Sequence, residues 1–152
     1  MRLLISLAVI LLVLSVSCAN AALDYPTAQS YVDKYNSKID TAPAPLKELL
    51  GSERVELSVT LTNGSAFQVG FETSNAKIVK MYPGGIQNPT IDLGITEDAM
   101  NTVAGSDDKI TAFQNAMSNG QVTITSQNLF TRIKLGVVLS SMSALKFFNG
   151  VL

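Results

Sequence analysis

Residues 54–73, RVELSVTLTNGSAFQVGFET, constrain the fold more than any other stretch. Val55, Leu57, Val59 and Leu61 alternate with polar neighbours. The chain then meets Asn63-Gly64 and alternates again through Phe67, Val69 and Phe71. Period-two alternation puts one set of side chains on each face of a strand. Asn-Gly between two such runs predicts a tight hairpin of type I′, because both residues tolerate positive φ. The same tripeptide, Asn63-Gly64-Ser65, is also a glycosylation sequon, although the turn alone accounts for Asn63.

More strands follow. KIVKMY, residues 77–82, reads as a third, stopped by Pro83-Gly84-Gly85. TIDLGIT, residues 90–96, reads as a fourth, with Ile91, Leu93 and Ile95 on one side. Four strands in succession predict an antiparallel meander with one wet face. Gly84-Gly85 precedes no helix that could hold a phosphate, so a turn is its reading.

Helical periodicity flanks this block. Ala28, Tyr31, Val32, Tyr35 and Ile39 share one face of a first helix, with Pro26 in its first turn. LKELLG, residues 46–51, makes a second, shorter one after the break at TAPAP. Thr96 is an N-cap candidate, followed by Glu97 and Asp98 where the helix dipole favours carboxylates. Ile95 and Met100 are spaced as a hydrophobic staple, and Gly105 ends the helix. Ser106 or Asp107 then caps another, with Ile110, Phe113, Ala116 and Met117 on one face. After a fifth strand, QVTIT, Asn128 caps a final helix expected to reach about Asn149. That helix carries Leu129, Phe130, Ile133, Leu135, Val137, Val138, Leu139, Met142, Ala144, Leu145, Phe147 and Phe148, against only Arg132, Lys134 and Lys146. A helix lying on a sheet by one stripe needs fewer apolar residues.

The N-terminus is of another kind. Arg2, an apolar run from Leu3 to Val16 and the A-x-A flank Ala19-Asn20-Ala21 read as a signal peptide over residues 1–21. A single domain then spans residues 22–152. The protein is expected to be secreted or extracytoplasmic; the alternative is anchoring through the N-terminal segment or through a lipidated Cys18. LSVSC is a poor lipoprotein box, since Ser15 stands where leucine is usual. Cys18 is the only cysteine, so no disulfide forms within the chain.

Much chemistry is excluded. With no histidine in 152 residues, Ser-His and Cys-His nucleophilic machinery and histidine metal sites are absent. There is no P-loop and no dinucleotide fingerprint. Asp107-Asp108 is explained by capping, and Glu53 and Glu56, near the start of a strand, are expected to face water. Without Arg2, the 12 carboxylates outnumber the remaining cations and leave a net charge of −2. No basic patch suggests nucleic acid, and attraction to an anionic membrane surface should also be weak. No enzyme activity and no cofactor are expected.

The order of elements and two motifs resemble the sterol carrier protein 2 family. NPTIDLGITEDAMNTVAG, residues 88–105, is similar to that family's strand, T/S-x-E/D-D helix start and glycine stop. AFQNAMSNGQVTITSQNLFTRIKL, residues 112–135, is similar to its helix, glycine, strand, turn and last apolar helix. Two departures stand out. Ala116-Met117-Ser118-Asn119 replaces the usual Phe-Met before the glycine, and Gln127-Asn128 lacks the usual glycine before the last helix. The resemblance covers roughly Leu46 to Phe148.

It implies an α+β fold: a five-stranded, mostly antiparallel sheet covered by helices, with an apolar C-terminal helix. It also implies an apolar cavity closed by that helix, for a fatty acyl chain, sterol or isoprenoid. Met81, Met100, Phe113, Met117, Val138, Leu139, Met142 and Leu145 are the lining expected from it. Methionine suits such a wall, being flexible and polarizable. Transient membrane contact is compatible with a carrier, and the oligomeric state is open. A different class of reading is an interaction domain whose C-terminal helix docks a partner or a second copy.

Overall fold

The computed structural model describes residues 24–141, 143–144 and 146–147. The expected signal peptide, with Cys18, lies outside them, as do Met142, Leu145 and Phe148. Helix α1, Tyr25–Lys38, starts at Asp24, whose carboxylate accepts the Thr27 amide at 2.8 Å. Its buried side is Ala28, Val32 and Tyr35, as the spacing predicts. A 3-10 turn, Ile39–Thr41, leads through Ala42-Pro43 into the short helix α2, Ala44–Leu49.

Among the described residues, strands β1 (Arg54–Thr60), β2 (Ala66–Ser74), β3 (Lys77–Pro83), β4 (Ile91–Thr96) and β5 (Val122–Thr125) form one sheet in the order β3-β2-β1-β4-β5. Helices α3 (Glu97–Gly105) and α4 (Lys109–Ser118) stand between β4 and β5, and α5 (Leu129–Ser140) follows β5.

The cross-strand register explains the alternation. Met81 pairs with Phe71, Phe71 with Val55, and Val55 with Ile91. Val69, Leu57, Leu93 and Ile124 make a second row, and Phe67, Val59, Ile95 and Val122 a third. Residues paired across strands share a face, so these rows are one continuous apolar floor. The buried helix residues Val32, Ile39, Leu46, Leu49, Met100, Val103 and Phe113 belong to the same core.

The expected meander holds for β1-β2-β3 and fails at β4. β4 pairs with β1, and it does so in parallel. The cause is a crossing segment on the polar face. Gly84 and Gly85, both at positive φ, turn the chain away from β3. The Gly84 amide donates to Gln68 O at 3.0 Å, the Ile86 amide donates to Glu56 Oε2 at 2.6 Å, and Thr90 N donates to Arg54 O at 2.7 Å. The chain thus traverses β2 and β1 before β4 begins. Gly70 makes room for it: a Cβ there would sit 2.3 Å from Ile86 Cβ. Hence Glu56, expected to face water, is instead an anchor of the crossing.

The type I′ turn is also displaced. Asn63 is not at positive φ; only Gly64 is, at φ 84°. The Gly64 amide donates to Leu61 O at 2.9 Å and Leu61 N to Ser65 O at 2.8 Å, so the hairpin has a three-residue loop. Asn63 Oδ1 accepts the Ser65 amide and hydroxyl at 2.9 and 2.6 Å. The two-residue turn with both φ positive lies between β2 and β3, at Asn75 (49°) and Ala76 (65°). There Ala76 is buried, and its carbonyl accepts the Tyr35 hydroxyl at 2.7 Å.

Caps fall close to expectation. Thr96 Oγ1 accepts Ala99 N at 3.2 Å, and Asn128 Oδ1 accepts Phe130 N at 2.9 Å. The cap of α4 is Asp108, one or two residues later than expected, because its carboxylate takes both the amide and the hydroxyl of Thr111. Those bonds hold the Asp108 carboxyl below its usual pKa. The expected single final helix is interrupted: α5 ends at Ser140, and helical backbone resumes at 143–144 and 146–147. Ser141 Oγ lies 2.9 Å from Ser143 Oγ and 3.4 Å from the Ala144 amide. Serines compete for backbone groups in this way and favour a break.

Candidate functional site

The residues expected to line a cavity are distributed over the floor and its covering helices. Met100 on α3 and Phe113 on α4 are buried, 5% and 1% exposed, and lie in one core cluster because α3 packs against α4. Met117, one turn further on α4, is half-buried against that cluster. Met81 is half-buried too, on the apolar floor, but on β3 at the opposite edge of the sheet from β5. Val138 and Leu139 lie on α5; Met142 and Leu145 are outside the described residues.

The structure holds α5 by one side. It packs on α2, and Thr131 is buried, 3% exposed. Its hydroxyl donates to Glu53 Oε1 at 3.4 Å. Glu53, expected to face water, is 7% exposed. It stands just before β1, where its amide donates to Thr73 Oγ1 at 2.8 Å and its carbonyl accepts the Thr73 amide at 2.9 Å. Those backbone bonds draw its side chain under α5. Beyond the break, Ala144 is buried in the core and Phe147 packs against it.

The other side of α5 is open. Leu129 is 60% exposed, Phe130 76%, Ile133 57% and Val137 52%. At about 100° per residue these four occupy one arc of the helix, opposite Thr131. Thus the surplus of apolar residues is partly resolved: one portion lies outside the core altogether. No helix among the described residues is long and apolar enough to cross a membrane.

Two open clefts border the sheet edge. One, of about 460 Å³, lies between α1 and β3 and touches Val32, Asn36, Ile78 and Met81. The other, of about 410 Å³, touches Glu53, Arg54, Glu72, Thr73 and Thr90. Arg54 pairs with Glu72 there and also donates to Gln87 O at 2.8 Å. Arg54 and Thr90 are thereby engaged in holding the crossing segment, while Glu53 and Thr73 bond each other. No group of acidic or sulfur side chains among the described residues is arranged to hold a metal ion.

No protein-family model and no curated protein matches the sequence. Solved structures do match by shape. The sterol carrier protein domain 2 of Helicoverpa armigera aligns over 84% of this chain and 95% of its own, at 18% identity and a TM-score of 0.51. A conserved protein of Thermus thermophilus, described as possibly a sterol carrier protein, aligns over 88% of this chain and 92% of its own, at 10% identity and a TM-score of 0.54. The fold is that of the sterol carrier protein 2 domain: α+β, with a five-stranded mixed sheet.

Proposed function

We propose that this protein binds and transfers a lipid-like molecule without catalysing a reaction on it. One observation carries the reading: a single apolar floor, packed at β4 and β5 by α3 and α4, in the fold shared with a Helicoverpa armigera domain named for carrying sterols. An apolar guest would lie between that floor and the C-terminal region, touching Met100, Phe113 and Met117 from α3 and α4 and Met81 from the floor. Met81 and Met117 support this by being only half-buried, so the margins of the apolar layer are where side chains have least company. Each buried methylene of a guest contributes about 0.8 kcal/mol, which offsets the cost of association for an acyl chain of ordinary length.

The absence of histidine, a property of the whole sequence, argues against the commonest hydrolytic mechanisms on such a guest. The signal-like N-terminal segment favours a carrier working outside the cytoplasm, and the mass of the mature N-terminus tests that location. Native mass spectrometry of the purified protein tests the carrier reading. A co-purified lipid, released by solvent extraction, is expected; protein of bare polypeptide mass that also takes up no added fatty acid would refute it.

A further inference from the structure

The open side of α5 has a charge pattern as well as an apolar one. Leu129, Phe130, Ile133 and Val137 fall within an arc of about 100°. Arg132 lies about 60° beyond one margin and Lys134 about 40° beyond the other, and both are exposed. The apolar stripe is therefore flanked on each side by a cation.

The sequence extends this pattern. Every carboxylate side chain lies at or before Asp108, and the chain from Lys109 to its end carries Lys109, Arg132, Lys134 and Lys146 with no Asp or Glu. The net negative charge of the whole protein conceals a C-terminal third whose charged side chains are all cationic. Helix α2, on which α5 packs, adds Lys47 and Glu48, which cancel.

We propose that the outer face of α5 docks on an anionic lipid surface. Leu129, Phe130 and Ile133 enter the acyl boundary, Val137 continues the line, and Arg132 and Lys134 reach the headgroups on either side. Helices that lie in a membrane interface have this layout, an apolar stripe with flanking Lys and Arg. The long basic side chains lay their stems along apolar surface and keep the charge in the polar layer. Phe130, in the first turn, leads because it is the most exposed of the four. A second copy of the chain suits the face less well, since two such helices would bring cations against cations. The inference rests on the carrier reading for its purpose, because a carrier must meet the membrane it serves. Its test reads the outside of α5 and not the interior.

The chain has no tryptophan, so Phe130→Trp gives a single local probe in the full-length protein. Val79→Trp, at a 60% exposed position on β3, is the control. With vesicles of equal parts phosphatidylcholine and phosphatidylserine, the tryptophan at 130 should shift to the blue and lose at least about half its quenching by iodide. Phosphatidylcholine vesicles should produce little change, and the tryptophan at 79 should not respond to either. Adding Arg132→Gln and Lys134→Gln to Phe130→Trp should weaken the response to mixed vesicles several-fold. An unshifted tryptophan at 130 would overturn the proposal. So would a shift that follows protein concentration without vesicles, which would mark a contact between copies. Loss of fatty-acid uptake with the vesicle response intact would refute the carrier reading and leave this one standing.

Discussion

The Thr131 hydroxyl donates to the carboxylate of Glu53 across 78 residues of sequence, and both side chains are buried. This bond ties α5 to the residue that precedes β1, on the side of the helix that is buried. A buried carboxylate that loses a donor costs about 1–3 kcal/mol. Thr131→Val should lower stability by that order, read as a reduced urea midpoint with an unchanged denaturant slope. The double variant Glu53→Met/Thr131→Val should be less destabilised than the sum of its single changes, since removing both partners leaves nothing unpaired. Strict additivity would mean that the two groups do not interact.

Tyr35 is the pin at the other end of the core. Its hydroxyl donates to the carbonyl of Ala76, a residue held at positive φ in the β2–β3 turn. Tyr35→Phe should cost about 1–2 kcal/mol, because a buried carbonyl loses its donor. Burial also pushes the Tyr35 phenol above its usual pKa. In the unfolded chain the phenol ionises at about pH 10, while in the folded chain it resists. The stability it contributes is present below that pH and is lost as pH rises beyond it. Alkaline unfolding titrations should therefore show a slope above about pH 10 that is shallower in Tyr35→Phe. Equal slopes in the two proteins would refute the assignment.

The crossing segment makes its own demand. At Gly70 an added Cβ would meet Ile86, and at Gly85, φ 109°, it would meet Glu56 Oε1 at 2.5 Å. The first neighbour is packed and the second is the end of a side chain. Gly70→Ala should therefore cost about 1–3 kcal/mol by overpacking, and Gly85→Ala is strained in backbone as well. Thermal melts that leave Gly70→Ala level with the parent would mean that the segment does not lie against β2.

Much of this fold is legible in the sequence because alternation and capping are local. Val55, Leu57, Val59, Ile91, Leu93 and Ile95 all face the core as their spacing requires, and Thr96 caps α3. Alternation says which residues face inward but not which strand lies alongside, so the pairing of β4 with β1 is invisible to it. Glu56 reads as a solvated charge because its partner, the Ile86 amide, is backbone and 30 residues away. Glu53 misleads for the same reason, its neighbour Thr131 coming from the last helix. The type I′ turn at Asn75-Ala76 contains no glycine, whereas Asn63-Gly64 has the composition and adopts another loop. In the candidate site, Met100 and Phe113 occupy the core as their helical spacing implies. The surplus on the last helix is also real, yet nothing in its periodicity distinguishes residues turned inward from Leu129, Phe130 and Ile133, which are turned out.

Titration of the full-length protein with a fluorescent long-chain fatty acid, in the absence of vesicles, decides whether the protein takes up an apolar guest. Saturable enhancement near one probe per chain is expected, competed by unlabelled fatty acid and weakened by Met117→Asp more than by the surface change Ile133→Ser. A response that never saturates, or one that Ile133→Ser abolishes while Met117→Asp leaves it intact, would contradict the carrier reading.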